Sequence, residues 1–143
     1  MMHYKALIFN DHAAAAAALQ ASSPRAAKAI GRQVKNFSST IWEQHREAVV
    51  RRGNMLKFTR AITEDGFRMG TSDSAQLPLL DSSLREMLLR TGQAELVEAS
   101  PFDCIWGIGF AAEYAPRVAR ENWGMNLLGK ALMEVRRELR EQG

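Results

Sequence analysis

The chain has 143 residues, 46% of them apolar and 24% charged, with only 10 Gly and 4 Pro, which excludes the disordered, collagen-like and low-complexity classes. Against 16 Asp+Glu stand 19 Lys+Arg, and the net charge of +3 accommodates an anionic ligand while falling far short of a dedicated nucleic-acid binder. One domain is expected, burying roughly 68% of its unfolded surface, so neither disulfides nor metals are needed for a core.

In chain order, Met1 to Phe9 reads as a helix. Its apolar run Ala6-Leu7-Ile8-Phe9 stops at Asn10-Asp11-His12, shorter than the roughly 7–15 residues of a secretory signal. No stretch approaches the roughly 20 apolar residues of a membrane span. A soluble, cytoplasmic protein is the expectation. Asp11 can cap a second helix through the alanines to about Ala21, since Ala has the highest helix propensity. Ser23 followed by Pro24 supplies an N-cap and a first-turn proline for a third, carrying Ala27, Ile30 and Val34. Thr40 can cap a longer helix in which Trp42, Val49 and Leu56 recur on one face, with Gly53-Asn54 expected to bend or break it.

From Thr63 to Asp81 the sequence is rich in Gly, Ser, Thr and Asp without a sustained period, and it reads as a long inserted loop. Ser83 and Glu86 form a capping box for a short helix with Leu84, Met87 and Leu88, ending at Thr91-Gly92. Glu95 to Ala99 alternates polar and apolar residues, the pattern of a strand, and Ser100-Pro101 turns the chain. Ile105-Trp106-Gly107-Ile108-Gly109 suggests a second strand whose backbone something approaches closely. Leu128, Ala131, Leu132, Val135 and Leu139 then mark an amphipathic helix, with Arg136, Arg137, Glu138 and Arg140 opposite. The expected architecture is a single, predominantly helical α+β domain over residues 1–143 with a small β-sheet.

Chemistry is concentrated in few places. Cys104 is the only cysteine, and His3, His12 and His45 lack the spacing of metal ligands, so no metal or other cofactor is expected. Arg32, Lys35 and Asn36, in GRQVKNF, are a solvated basic turn or a phosphate cradle. Trp42 is either core or a stacking platform for a base or sugar. Asp103, after the Ser-Pro turn, either caps backbone amides or faces a cleft and orients or deprotonates a water. The pairs Trp106-Gly107 and Trp123-Gly124 either pack tryptophan over glycine or wall a pocket for a flat polar ring. GxGxxG, GxxxxGK[ST] and GxSxG do not occur.

MMHYKALIF, GRQVKNF, W-x3-R-x7-N-x2-KF, LLRTG, LVEASPFD, IWGIG and W-x2-NLLGKALMEVR occur in this order, and the ordered set resembles the NADAR domain, or YbiA-like, family from Met1 to about Arg137. The resemblance implies an N-glycosidase acting on ribosylamino-pyrimidine phosphates of riboflavin synthesis or on ADP-ribosylated guanine, the latter also within nucleic acid. It implies Asp103 and Trp42 as catalytic residues, and Lys5, Arg32, Lys35, Asn36, Trp106, Gly107 and Asn126 as substrate-binding residues. The alternative, which the departure from the family pattern motivates, is a non-catalytic ADP-ribose-binding or nucleotide-binding module, a truncated relative lacking the glutamate that members carry just before the MM. Members of the family carry a glutamate just before the MM and strand-forming residues further upstream, whereas this sequence begins at the MM. The expectation is a domain lacking both. The Thr63 to Asp81 segment is longer than the family's path between these motifs, and Cys104 stands where Arg is common.

Overall fold

A computed structural model of the chain describes residues 1–59 and 84–142. The loop expected from Thr63 to Asp81, and Ser83 of the expected capping box, lie outside the described residues. By its internal contacts the chain divides into two compact units, Met1–Gly53 and Asn54–Gly143.

The first unit contains α1 (Met2–Ile8), α2 (His12–Gln20), α3 (Pro24–Arg32) and most of α4 (Ser39–Thr59). Asn10 adopts φ 56, a left-handed conformation that Asn tolerates better than most residues, and this turns α1 into α2 while Asp11 N–H donates to Ala6 O at 2.9 Å. Ser23 Oγ accepts from Ala26 N at 3.1 Å, so α3 starts as its Ser-Pro signal predicts. Entry to α4 comes slightly earlier than expected, with Ser38 Oγ accepting from Ile41 N at 3.4 Å. Ala6, Phe9, Ala15 and Val34 form the core, with Ile8, Ala14 and Trp42 packed against it. Gly31 is buried beside Met2, whose Cγ would lie 2.9 Å from any Cβ added there, so α1 and α3 approach over a residue without a side chain.

The second unit contains the end of α4, α5 (Leu84–Arg90), two 3-10 turns (Ala115–Arg117 and Arg120–Asn122) and α6 (Leu127–Glu141). Leu88, Val135 and Leu139 are its buried core, flanked by Met55, Phe58, Leu89 and Leu96. Helix α4 runs without interruption through Gly53-Asn54, a tolerable cost of about 1 kcal/mol for one interior glycine. The apolar face of α6 is the expected one, but Arg136 is not on a solvated face. It is 6% exposed and its Nη1 donates to Thr91 Oγ1 at 2.7 Å, while that hydroxyl donates to Leu88 O at 2.6 Å. Arg85 Nη2 donates to Leu139 O at 3.0 Å, and Arg140 Nη2 donates to Gly92 O. Both guanidinium groups thus serve carbonyls at or just beyond helix C-termini, where cations are favoured.

The expected small β-sheet is not formed: there is no strand among the described residues, which are helices, 3-10 turns and loops. The reason lies in what satisfies the backbone. At residues 95–99, Leu96 O and Glu98 N bond to the side chain of Asn126, not to a neighbouring strand. At residues 104–108, the carbonyls accept successive amides of residues 124–128 in an order that is not a ladder, and Gly109 at φ 78 turns the chain away. Alternation and β-forming residues are strand signals there, but they carry no information about partners.

Asp11 links two segments of the first unit. Its Oδ1 accepts from Ala14 N at 3.0 Å and its Oδ2 from Lys35 N at 2.9 Å. These backbone donors, Lys35 N–H foremost and Ala14 N–H next, hold the Asp11 carboxyl below the usual aspartate range. A carboxyl depressed in the folded state contributes stability above its unfolded pKa and loses it as pH falls through the folded value. The urea midpoint of the wild type should therefore fall further than that of Asp11→Asn between pH 5 and pH 2.5. Equal falls would show that the two bonds contribute nothing to the pH dependence.

Candidate functional site

In the second unit the loop around Asp103 is knitted by the main chain. Ser100 N and Ile108 N both donate to Glu98 O at 3.0 Å, and Gly109 N donates to Asp103 O at 3.1 Å. From the other side, Gly124 N bonds Ile108 O, Met125 N bonds Cys104 O and Asn126 N bonds Gly107 O, at 2.9, 2.8 and 3.1 Å. Leu127 N and Leu128 N then donate to Ile105 O and Trp106 O, each at 3.1 Å, which satisfies amides of α6's first turn that lack a helical partner. Gly107 is buried at the centre of this arrangement: a Cβ there would lie 2.7 Å from Glu98 O and 2.8 Å from Asp103 O. The close approach expected at IWGIG is thus by carbonyls of the chain itself.

Within this frame the Asp103 carboxylate is asymmetric. Oδ1 accepts from Ile105 N at 3.0 Å and from Trp106 N at 2.7 Å, so the side chain caps the backbone and is fixed in position. Oδ2 has no hydrogen-bond partner among the described residues, and Asp103 is only half-buried. One oxygen caps the backbone and the other is unpartnered among the described residues. Trp106, also half-buried, follows three residues later.

Asn126 holds the frame together. It is 6% exposed, sits at φ 50 as the N-cap of α6, and uses its amide on residues 96 and 98: Oδ1 accepts from Glu98 N and Nδ2 donates to Leu96 O, both at 3.0 Å. Its amide group is committed to backbone, so it positions the segment leading into Asp103. A cavity of about 710 Å³ opens elsewhere in this unit, with Leu96, Val97, Ile108, Arg120 and Trp123 in its lining. Arg120 lies over the Trp123 ring at 4.0 Å and pairs with Glu95, while Asp103, Trp106 and Gly107 are not part of that lining.

In the first unit, Lys5 is the chemically distinctive group. Its Nζ donates to Gly31 O at 2.6 Å, stands 4.3 Å from the Phe37 ring centre and 5.6 Å from that of Trp42. Burial pushes the Lys5 ammonium below the ordinary lysine range, because removal from water penalises the charged form. Trp42 is half-buried against the core cluster and also faces this cation, so the two readings of it are not exclusive. Arg32, Lys35 and Asn36 are exposed, and neither cation forms an ion pair among the described residues. Asn36 adopts φ 54, which turns the chain toward Phe37. Sequence reasoning missed Phe37, although an aromatic directly after Lys-Asn in a basic turn was a signal.

No group of three or more His, Cys, Asp or Glu among the described residues is placed to hold a metal ion, and no described helix is long and apolar enough to cross a membrane.

Asn126→Ala removes both bonds of the clamp and leaves Glu98 N and Leu96 O unsatisfied, which should cost about 2–4 kcal/mol of unfolding free energy by urea titration. A loss under about 0.5 kcal/mol would mean that the clamp is dispensable.

Residues 1–140 match the family model described as the NADAR domain. An N-glycosidase of Acanthamoeba polyphaga mimivirus is 38% identical over 139 residues, which cover 96% of this chain and 70% of that protein. An N-glycosidase of Nostoc punctiforme is 31% identical over 120 residues, 84% of this chain and 58% of that one. The chloroplastic riboflavin biosynthesis protein PYRR of Zea mays is 32% identical over 123 residues, 83% of this chain but only 15% of its own length. The chain therefore spans only part of each of these relatives.

Proposed function

The chain belongs to the NADAR domain family, and we propose that it is an N-glycosidase that hydrolyses the C–N bond of a ribosylated, phosphate-bearing base. Two relatives carrying the name N-glycosidase support the reaction class, and a third named for riboflavin biosynthesis supports a ribosylamino-pyrimidine phosphate as substrate, with ADP-ribosylated guanine as the other candidate. The observation that carries the reading is the Asp103 carboxylate, with Oδ1 tied down by two amides and Oδ2 without a hydrogen-bond partner among the described residues.

In such a reaction water adds to C1′ of the ribose while the C–N bond breaks, its electron pair leaving with the base. The base gains a proton, and the sugar gains the hydroxyl. Positive charge develops on the ribosyl ring in the transition state, and a preorganised carboxylate stabilises it without reorganisation. Asp103 Oδ2 is assigned that role together with orienting the water and receiving its proton. Trp42 and Trp106 are assigned to stacking on base or ribose, and Lys5, Arg32, Lys35 and Asn36 to the phosphate. Arg32 and Lys35 are exposed, whereas Lys5 Nζ already donates to Gly31 O, so the first two are the freer to meet a phosphate in this assignment. Gly107 supplies close-packed backbone beside Asp103, and Asn126 acts through the loop it clamps.

The test is chromatography of products after incubation with an aminopyrimidine ribosyl phosphate and, separately, with ADP-ribosylated guanosine. Release of ribose 5-phosphate or of ADP-ribose is expected from one of them. No release from either by folded protein contradicts the reading, and saturable ADP-ribose binding without turnover would replace it with that of a binding module. Asp103→Asn keeps the Oδ1 acceptor for the two amides, so the loop should hold while kcat falls by about 10²- to 10⁴-fold. Unchanged turnover in that variant would remove Asp103 from the mechanism.

A further inference from the structure

Phe102 is 97% exposed, the most exposed of the large apolar side chains among the described residues. It does not sit on a floppy segment. Asp103 N approaches Ser100 O at 3.5 Å, closing a four-residue turn with Pro101 and Phe102 at its two central positions, and Pro101 restricts the backbone just before the phenylalanine. The residue after it, Asp103, is anchored through both its carbonyl and its Oδ1. The ring is therefore displayed to solvent from a backbone that cannot easily withdraw it. Pro101, Cys104 and Ile105, the residues on either side of Phe102 and Asp103 in the chain, are exposed as well, Ile105 at 44%. An aromatic ring held this far out, one residue before a carboxylate whose Oδ2 has no hydrogen-bond partner among the described residues, takes no part in the core of its own unit.

We propose that Phe102 is the base-recognition residue of this enzyme: its ring stacks on the heterocyclic base joined to the ribose whose C1′ receives the water that Asp103 orients. This inference rests on the N-glycosidase reading for the identity of the ligand. An aromatic face accepts any flat heterocycle, so the side chain selects for an aromatic leaving group over an aliphatic amine and contributes affinity for the base, not for the phosphate. Because Phe102 carries no group able to donate or accept a proton, its contribution appears in binding and not in the chemical step.

The experiment compares wild type, Phe102→Ala and Phe102→Tyr in two measurements. Steady-state hydrolysis of the aminopyrimidine ribosyl phosphate should show KM raised about fivefold or more in Phe102→Ala, with kcat within about twofold and KM restored in Phe102→Tyr. Calorimetric binding of guanosine 5′-monophosphate and of ribose 5-phosphate, each in an Asp103→Asn background to prevent turnover, should show the nucleotide weakened by a similar factor in Phe102→Ala and ribose 5-phosphate unaffected. Equal affinity of Phe102→Ala and its parent for the nucleotide would overturn the proposal, as would equal weakening of both ligands or a fall in kcat with KM unchanged. Should the wild type hydrolyse nothing, the glycosidase reading fails by itself, and the two binding affinities still decide whether Phe102 recognises the base.

Discussion

The side-chain amide of Asn126 is the constraint on which the second unit depends. A buried peptide group without a partner is costly, and the extended segment 95–99 has no strand beside it among the described residues to supply one. Asn126 supplies both a donor and an acceptor from one residue, and it can do so because Asn tolerates the φ of 50 that places it at the head of α6. From there the amides of residues 124–128 run along the carbonyls of residues 104–108. The start of the helix and the loop that holds Asp103 thereby satisfy each other. Glycines at 107 and 124 are required by the same closeness, since a Cβ at either would run into backbone oxygens. The carboxylate inherits its position from this mesh, with one oxygen used to hold it and one left over.

The first unit solves a different problem. Lys5 emerges from a short helix toward Phe37 and Trp42, where its amine donates to Gly31 O and stands over the two aromatic rings. The aromatic faces favour the cation while burial opposes it, and the net result is an ammonium that is easier to deprotonate than an exposed one. Asp11 fixes the neighbouring turn by accepting Lys35 N–H, while the Lys35 side chain forms no ion pair among the described residues. Each unit thus devotes one carboxylate to positioning a loop whose side chains are the chemically interesting ones.

Much of this was legible in the sequence wherever the relevant interaction was local. Asp11 and Ser23 announce their helices because a cap acts on amides three residues away, and the spacing of Ala131, Val135 and Leu139 reports one face of one helix. The readings failed where the partner was distant. Residues 95–99 alternate like a strand, yet their partner is a side chain about thirty residues on, which periodicity cannot reveal. Arg136 belongs by pattern to a solvated face, but it is buried against the end of α5, where Thr91 gives it a hydrogen-bond partner. Asp103 was legible as a candidate in two competing roles, and the geometry supports capping through one oxygen while leaving the other open. Phe102 went unremarked because an exposed aromatic is invisible to any rule that expects apolar residues inside.

The central claim is that the Asn126 clamp exists to place Asp103 for chemistry, and its most direct test is the steady-state kinetics of Asn126→Ala at a temperature where the variant is fully folded. The account predicts kcat lower by about 10- to 100-fold, because a displacement of order 1 Å in a catalytic group carries such a cost, with KM within about twofold of wild type. A variant that turns over at the wild-type rate would show that the clamp holds the fold alone and that the position of Asp103 does not depend on it.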